Sequence, residues 1–197
     1  TITGETYSGL LGAQATVGST TLYFSPSLTV TSVSGNGTTV TLSFSTQSAV
    51  PFAVGQTIIV TGLITTTGSV AYNGTYTVTA SSTSSVSYAS STTGTVTGNG
   101  NVTSNVAIYP AINIVGATVT GSTSIPGGTT VSSYTTDPIT DALLSITLSQ
   151  ATTTATINTS TTITITESTQ TPTGYYLQFS SPVPYGKPVT VLQGFDQ

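Results

Sequence analysis

The amino-acid sequence predicts an all-β protein made of two small sandwich-like or barrel-like modules, with extended flanks at both termini. Thr and Ser occupy 76 of the 197 positions, counted as 48 Thr and 28 Ser. Thr is β-branched and favours strands, and alternation of apolar with hydroxyl residues recurs along the chain. Hydrophobic residues make up 36%, below the usual share of about 45–50%, so we expect a thin core that a neighbouring subunit partly completes.

The predicted strands follow a period of two, which indicates one buried and one solvated face. In residues 39–45, Val40, Leu42 and Phe44 face one way and the hydroxyls face the other. The same pattern occurs in four more segments, whose apolar positions are Tyr76/Val78/Ala80, Leu144/Ile146/Leu148, Ile163/Ile165 and Tyr175/Leu177/Phe179.

Turn signals separate these strands at short intervals, as in sandwiches and barrels. They lie at 35–37 (Gly-Asn-Gly, a tight hairpin), 72–75, 98–101 and 126–128 (Pro-Gly-Gly). The one helix we consider is short and starts at Thr136 or Asp137, with Pro138 in its first turn, and a loop is the alternative there.

The domain prediction has four parts. Residues 1–27 form an N-terminal arm, 28–105 a first β module, 106–169 a second β module, and 170–197 a C-terminal flank. A faint internal echo links the modules, since Val54-Gly55-Gln56-Thr57 resembles Val115-Gly116-Ala117-Thr118. In so repetitive a composition chance could produce it, so we give it little weight.

The composition excludes many function classes. Without His, Cys, Met, Trp or Arg, a Cys/His zinc site, a Ser-His-Asp triad and a disulfide framework are impossible. One lysine cannot neutralise nucleic-acid phosphates, and no apolar run reaches the roughly 18 residues of a membrane helix. We therefore predict no enzyme activity, no cofactor, no metal, and neither nucleic acid nor membrane as partner.

Two stretches resemble a small β module that recurs in virion proteins of tailed phages, especially fibres and decoration proteins of aquatic phages. The first stretch is 51–62 (PFAVGQTIIVTG), continuing into 72–80 (YNGTYTVTA). The second is 119–131 (VTGSTSIPGGTTV), followed by a Thr-rich strand at 147–156. The sequence departs from the second pattern by inserting residues 134–143.

The resemblance implies a structural virion protein at the virion surface. We expect a capsid decoration (cement) protein that binds the major capsid protein or other virion subunits by non-ionic β-mediated contacts and is itself a homo-oligomer. One alternative is a tail or head fibre module that contacts the host surface. Another is a secreted, archaeal-type filament subunit assembled by donor-strand exchange, which would be extracellular.

The candidate interface residues are apolar and aromatic side chains of the two flanks. They are Leu10, Leu11, Leu22, Tyr23, Phe24, Tyr175, Tyr176, Tyr185 and Phe195. Tyrosine supplies apolar area with a polar tip, which interfaces favour, although ordinary sheet packing is an equal alternative for these residues.

The charged residues suggest little chemistry. Asp137 and Asp141 could contribute to a Ca²⁺ site, but a cap and a turn carboxylate explain them better. Lys187, the only cation, could form an isopeptide bond assisted by Glu5 or Glu167, but a solvated turn or an interface ion pair is the preferred interpretation. Four sequons, at Asn36, Asn73, Asn101 and Asn158, exceed chance negligibly.

Overall fold

The computed structural model describes residues 4–64, 71–97, 100–110 and 113–167. These residues form thirteen strands and no helix. The strands are β1 (Thr6–Leu10), β2 (Thr21–Tyr23), β3 (Ser27–Asn36), β4 (Thr39–Phe44), β5 (Thr57–Thr61), β6 (Gly74–Ser81), β7 (Ser85–Ala89), β8 (Thr93–Thr97), β9 (Asn101–Ser104), β10 (Thr118–Thr120), β11 (Val131–Thr136), β12 (Leu143–Leu148) and β13 (Thr162–Thr166).

Strands β3 to β9 form a closed antiparallel barrel, which we call the inserted module. Its six wall strands follow the order β3-β4-β7-β6-β5-β9, and β9 pairs back with β3. The seventh strand, β8, pairs only with the distal half of β3, from Ser32 to Asn36. Closure of the wall removes most of the free edges that an open sheet of this size would expose.

The remaining six strands form the interrupted module, which consists of two three-stranded sheets. One sheet has the order β1-β13-β10 and the other the order β11-β12-β2. Two seams join them. At one seam Gly12 N donates to Tyr23 O (2.9 Å), and at the other Val131 N donates to Ala117 O (2.9 Å). The strands therefore form a ring in the order β1-β2-β12-β11-β10-β13.

The two modules share one topology. If the six ring strands of each module are numbered 1 to 6 along the chain, leaving out β8, both rings have the order 1-2-5-4-3-6. All neighbouring strands in both rings are antiparallel. The inserted module lies in the chain between the second and third strands of the interrupted module. Its first and last strands are neighbours, with Ser27 opposite Thr103, so the chain enters and leaves it at adjacent points. One module is thus nested within another of the same design.

The faint sequence echo corresponds to a repeated turn with a repeated hydrogen-bond pattern. The VG turns, as we call them, occupy residues 53–56 and 114–117, and a third lies at 16–19. In each, a glycine with φ of 84–87° follows the exposed Val17, Val54 or Val115. The residue after the glycine donates to a carbonyl three residues earlier, at 3.0–3.1 Å. A positive φ at the third position with this bond is typical of a type II turn, which requires glycine there.

Each VG turn is fixed to a neighbouring segment by the same pair of backbone hydrogen bonds. Gly55 N donates to Val78 O (2.8 Å), and Val78 N donates to Gln56 O (2.9 Å). In the turn at Gly116 the equivalent bonds join Gly116 N to Val131 O (2.8 Å) and Val131 N to Ala117 O (2.9 Å). In the turn at Gly18 they join Gly18 N to Thr152 O (2.8 Å) and Thr152 N to Ser19 O (2.9 Å). The turn is therefore a standard way of starting a strand in this chain.

Each module has its own hydrophobic core, and the alternating positions supply much of it. Val40, Leu42 and Phe44 are buried in the inserted module, and Ile163 and Ile165 in the interrupted one. The prediction of an all-β fold with two barrel-like modules is confirmed.

Two strands depart from the predicted phase because their ladders are irregular. A register shift in the β6–β7 pairing leaves Ala80 exposed, although the alternation placed it with buried Val78. In β12, Leu143 and Ile146 are both buried in the interrupted module, whereas Leu144 packs against the core of the inserted module. This strand therefore serves both cores.

The segment at 136–142 is a turn rather than the helix that we considered. Asp137 Oδ1 accepts hydrogen bonds from Ile139 N (3.0 Å) and Thr140 N (2.9 Å). Asp141 has a φ of 58°, which ends any helical continuation. The residues join β11 to β12.

Residues 6–24, assigned by the sequence to an N-terminal arm, are integrated into the interrupted module. Strand β1 pairs along its whole length with β13, from Thr6 opposite Thr166 to Leu10 opposite Thr162. Strand β2 pairs with β12. The pattern Leu22-Tyr23-Phe24 belongs to a strand that completes a core, not to a free segment. The predicted C-terminal flank, 170–197, lies outside the described residues.

Candidate interaction surfaces

The N-terminal candidate interface residues fall into two groups. Leu11, Leu22 and Phe24 are buried in the core of the interrupted module, so their side chains stabilise the chain's own fold and present no surface to a partner. Leu10 and Tyr23 are half-buried and remain accessible in part. Leu10 lines a groove of about 270 Å³ together with Val54 and Ser160.

Tyr23 lies at the boundary between the two modules. It lines a narrow cleft of about 50 Å³ with Pro51 of the inserted module and Leu144 of the interrupted one. This volume has room for a few waters and is far smaller than the roughly 300–1,000 Å³ of a small-molecule pocket. The cleft is therefore an internal boundary and not a ligand site.

The boundary between the modules is held by a polar cluster that sequence reasoning missed, centred on Gln56. Its Oε1 accepts from Ser25 Oγ (3.0 Å) and Ala53 N (3.0 Å), and its Nε2 donates to Ser104 Oγ (3.4 Å). Ser25 lies on the segment entering the inserted module and Ser104 at the end of its last strand, and both are buried. One side chain thus ties together the two chain crossings.

The internal echo carried a signal for this role. Gln56 occupies the position in its VG turn that Ala117 and Ser19 occupy in the other two. The long amide occurs in the turn whose side chain bonds to both Ser25 and Ser104. A second cross-module bond comes from Thr140 Oγ1, which donates to Ser27 O (2.7 Å).

The acidic residues have local structural partners. Asp137 Oδ1 accepts from Thr140 Oγ1 (3.1 Å) as well as from the two amides of its turn, which fits the capping interpretation. Glu167 Oε2 accepts from Glu5 N (3.2 Å), and Glu5 Oε2 accepts from Tyr7 Oη (2.7 Å). Within the described ranges, no group of three His, Cys, Asp or Glu side chains is placed to hold a metal ion.

Three tyrosines form a packed ladder in the inserted module. The rings of Tyr76 and Tyr88 stack with centroids 3.8 Å apart. Tyr88 Oη donates to Tyr72 O (2.9 Å), and Tyr72 Oη donates to Gly94 O (2.8 Å). Burial, with a smaller contribution from neighbouring Tyr76, raises the pKa of Tyr88 above its ordinary value. These hydroxyls bond internally and are not presented to a partner.

The sequon asparagines serve the fold. Asn73 Oδ1 accepts from Leu63 N (3.0 Å) and its Nδ2 donates to Leu63 O (2.8 Å), so this amide imitates a backbone pair. Asn36 Oδ1 accepts from Thr38 N and Thr39 N in the β3–β4 turn. The turn interpretation of these two residues fits the geometry.

Tyr175, Tyr176, Tyr185 and Phe195, and the lysine at 187, lie outside the described residues.

Strand β8 has one hydrogen-bonding edge that pairs with no described strand. One side of β8 pairs with β3 over five residues without a register shift, and no described strand pairs with the other side. Its residues, 93–97 (TGTVT), are exposed except for half-buried Val96. Among the described residues, the interrupted module has no counterpart of this strand.

The surface around this edge carries no charge. No charged residue occurs between Glu5 and Asp137, a range that contains the whole inserted module. The outward positions of β8, β3, β4 and β7 form rows of hydroxyls in which Thr95, Ser34, Thr41 and Ser87 are successive cross-strand neighbours. Contacts made by such a surface would be hydrogen bonds and apolar burial rather than ion pairs.

Comparisons with protein-family models, with curated proteins and with solved structures found no match to this chain. None of the described segments is a helix with the length and apolar character needed to cross a membrane.

Proposed function

We propose that the chain is a structural virion protein, a capsid decoration (cement) protein that binds the outside of a phage shell. The observation that carries this proposal is the repeated module. Both stretches that resemble phage virion modules form equivalent parts of the two rings. Residues 51–62 and 72–80 include a VG turn, β5 and most of β6, and residues 119–131 include most of β10 and the loop into β11.

The uncharged surface supports attachment by non-ionic contacts. A protein that adheres to a shell through hydrogen bonds and apolar burial stays bound when salt is added, because screening weakens only charge–charge attraction. The partners that fit this role are the major capsid protein and further copies of this chain. The role requires no cofactor and no catalytic group.

The test is co-sedimentation with undecorated capsids assembled from the major capsid protein of the same genome. We expect saturable binding with a fixed stoichiometry at about 0.1 M salt, and the same binding at about 1 M, where the Debye length falls to roughly 3 Å. Binding lost at high salt would contradict the non-ionic mechanism.

A control with purified tails and with host cells separates this role from that of a fibre module. If the chain bound tails or cells and left capsids bare, the decoration proposal would be wrong. Binding to none of the three would also refute it.

A further inference from the structure

We infer that the edge of β8 that pairs with no described strand is a self-association site, at which β8 of a second copy of this chain adds in antiparallel fashion. The pairing would join two inserted modules through one continuous sheet. This inference deepens the proposed assembly role by naming a partner and a contact, but it can be tested without any capsid.

The first argument is that the edge lacks the usual devices against strand addition. Natural edge strands avoid pairing through charged side chains, prolines, bulges or a covering segment. Residues 93–97 contain no charge and no proline, the β8–β3 ladder is regular, and no described strand covers the outer side. The flanking strands of the same sheet are equally uncharged.

The second argument is that the edge complements itself. An antiparallel pair centred on Thr95 places Thr93 of one copy opposite Thr97 of the other and Gly94 opposite Val96. Thr–Thr cross-strand pairs are favourable, and glycine opposite valine leaves room for the larger side chain. Such a two-fold contact is isologous and closed, so it gives a discrete dimer rather than a polymer.

The third argument concerns why the second copy is the partner to name. Barrel closure satisfies the other wall strands of the inserted module, so β8 is where this module departs from the shared topology. The departure leaves five residues of β8 with an edge that no described strand pairs, which matches the length of the same strand in another copy. A strand from a charged partner would gain no ion pair here, because this module carries no charge.

The decisive experiment compares two lysine substitutions by sedimentation velocity over roughly 1–100 µM protein, the range in which weak dimers are populated. In Thr95→Lys, two like charges face each other directly at the two-fold axis, which destabilises a strand pair. Thr77→Lys is the matched control, because Thr77 is equally exposed but lies in β6, whose two edges are already paired.

We expect wild type and Thr77→Lys to dimerise with the same dissociation constant, and Thr95→Lys to dimerise at least about tenfold more weakly. Wild type that stayed monomeric over the whole range would overturn the inference. So would equal dimerisation of all three proteins. Circular dichroism of Thr95→Lys, compared with that of wild type, checks that the variant is folded.

A second measurement locates the contact, because the chain has no cysteine. Thr95→Cys should form a disulfide-linked dimer under mild oxidation, since directly opposed Cβ atoms in an antiparallel pair are about 4.5–5.5 Å apart. Thr77→Cys should not. Equal cross-linking of the two variants would contradict pairing at β8.

The two proposals can fail separately. If wild type dimerises through β8 but binds no capsid, the decoration role is wrong and the self-association site stands. If wild type binds capsids as a monomer, and Thr95→Lys binds equally well, the site is wrong and the decoration role stands.

Discussion

Gln56→Ala tests whether one amide holds the two modules together. The change makes this VG turn like the one at 114–117, which has Ala117 at the same position, so the turn itself has a precedent for alanine. The substitution removes the acceptor of Ser25 Oγ and of Ala53 N, each at 3.0 Å, and the donor to Ser104 Oγ, at 3.4 Å. Ser104 Oγ keeps Val106 N as a donor, whereas Ser25 is buried and loses its partner.

The expected loss in unfolding free energy is about 2 kcal/mol, since a buried donor left without a partner costs about 1–3 kcal/mol. With a urea m-value of about 2 kcal/mol/M, the unfolding midpoint falls by about 1 M. Tyrosine fluorescence and far-UV circular dichroism follow the transition, because the chain has tyrosines but no tryptophan. Gln14→Ala is the control, since its amide bonds only to exposed Asn158, and its expected effect is below about 0.5 kcal/mol.

A double-mutant cycle identifies the cause. Adding Ser25→Ala to Gln56→Ala removes the hydroxyl that the single substitution leaves without an acceptor. The unfolding free energy lost by the double variant should therefore be about 1 kcal/mol smaller than the sum of the two single losses. A loss for Gln56→Ala no greater than that of Gln14→Ala would refute the reasoning. Additive effects of Gln56 and Ser25 would do so as well.

Three further predictions concern single elements. Gly55→Ala should lose about 1–2 kcal/mol of unfolding free energy from left-handed backbone strain alone, because a Cβ there meets nothing within 4 Å. Gly127→Ala is the control, because a Cβ there also meets nothing within 4 Å but Gly127 has no positive φ. Its unfolding free energy should change by less than about 0.5 kcal/mol in the same urea titration. Equal losses for the two variants would contradict the strain explanation. Asn73→Ala should lower the unfolding free energy by about 2 kcal/mol, because it removes two hydrogen bonds to Leu63. A loss as small as that of the exposed Asn158→Ala would show that those bonds do not stabilise the fold. Because the pKa of Tyr88 is raised on folding, the unfolded state releases that proton first, near pH 10. The unfolding free energy should therefore fall as pH rises above about 10. The urea unfolding midpoint, measured at successive pH values, should fall less steeply with pH for Tyr88→Phe than for wild type. Identical slopes for the two proteins would show that Tyr88 does not contribute to this pH dependence.

The sequence predicted the strands well where one ladder and one core decide the outcome. Val40, Leu42 and Phe44 alternate without interruption because the β4–β7 ladder has no register shift and the extra residue of the β3–β4 ladder, Thr31, lies in β3 rather than in β4. Prediction failed at Ala80 and Leu144, where a bulge or a second core changes which face a residue presents. In both strands the ladder skips one residue of the strand itself, Thr79 in β6 and Leu144 in β12, and the alternation of residue types does not indicate where this happens.

The candidate interface was harder to predict than the fold. Leu22 and Phe24 have the composition of an interface segment, but whether an apolar strand covers its own chain's core or a partner depends on pairing over long sequence distances. Strand β2 pairs with β12, more than a hundred residues later in the chain. The edge of β8 could not be predicted either, because the residues TGTVT do not indicate that described strands pair with only one of its two sides.

The nesting of the modules has a consequence for the order in which the chain acquires structure. All strands of the inserted module are present once residue 104 has been synthesised, whereas the interrupted module must wait for β13 at Thr162–Thr166. Contacts between β1 and β13 close a loop of about 150 residues, and such distant contacts form slowly in an unorganised chain. Once the inserted module has folded, the adjacent positions of Ser27 and Thr103 shorten that loop by the whole length of the module. The inserted module thus acts as a folding clamp that brings the two halves of its counterpart together.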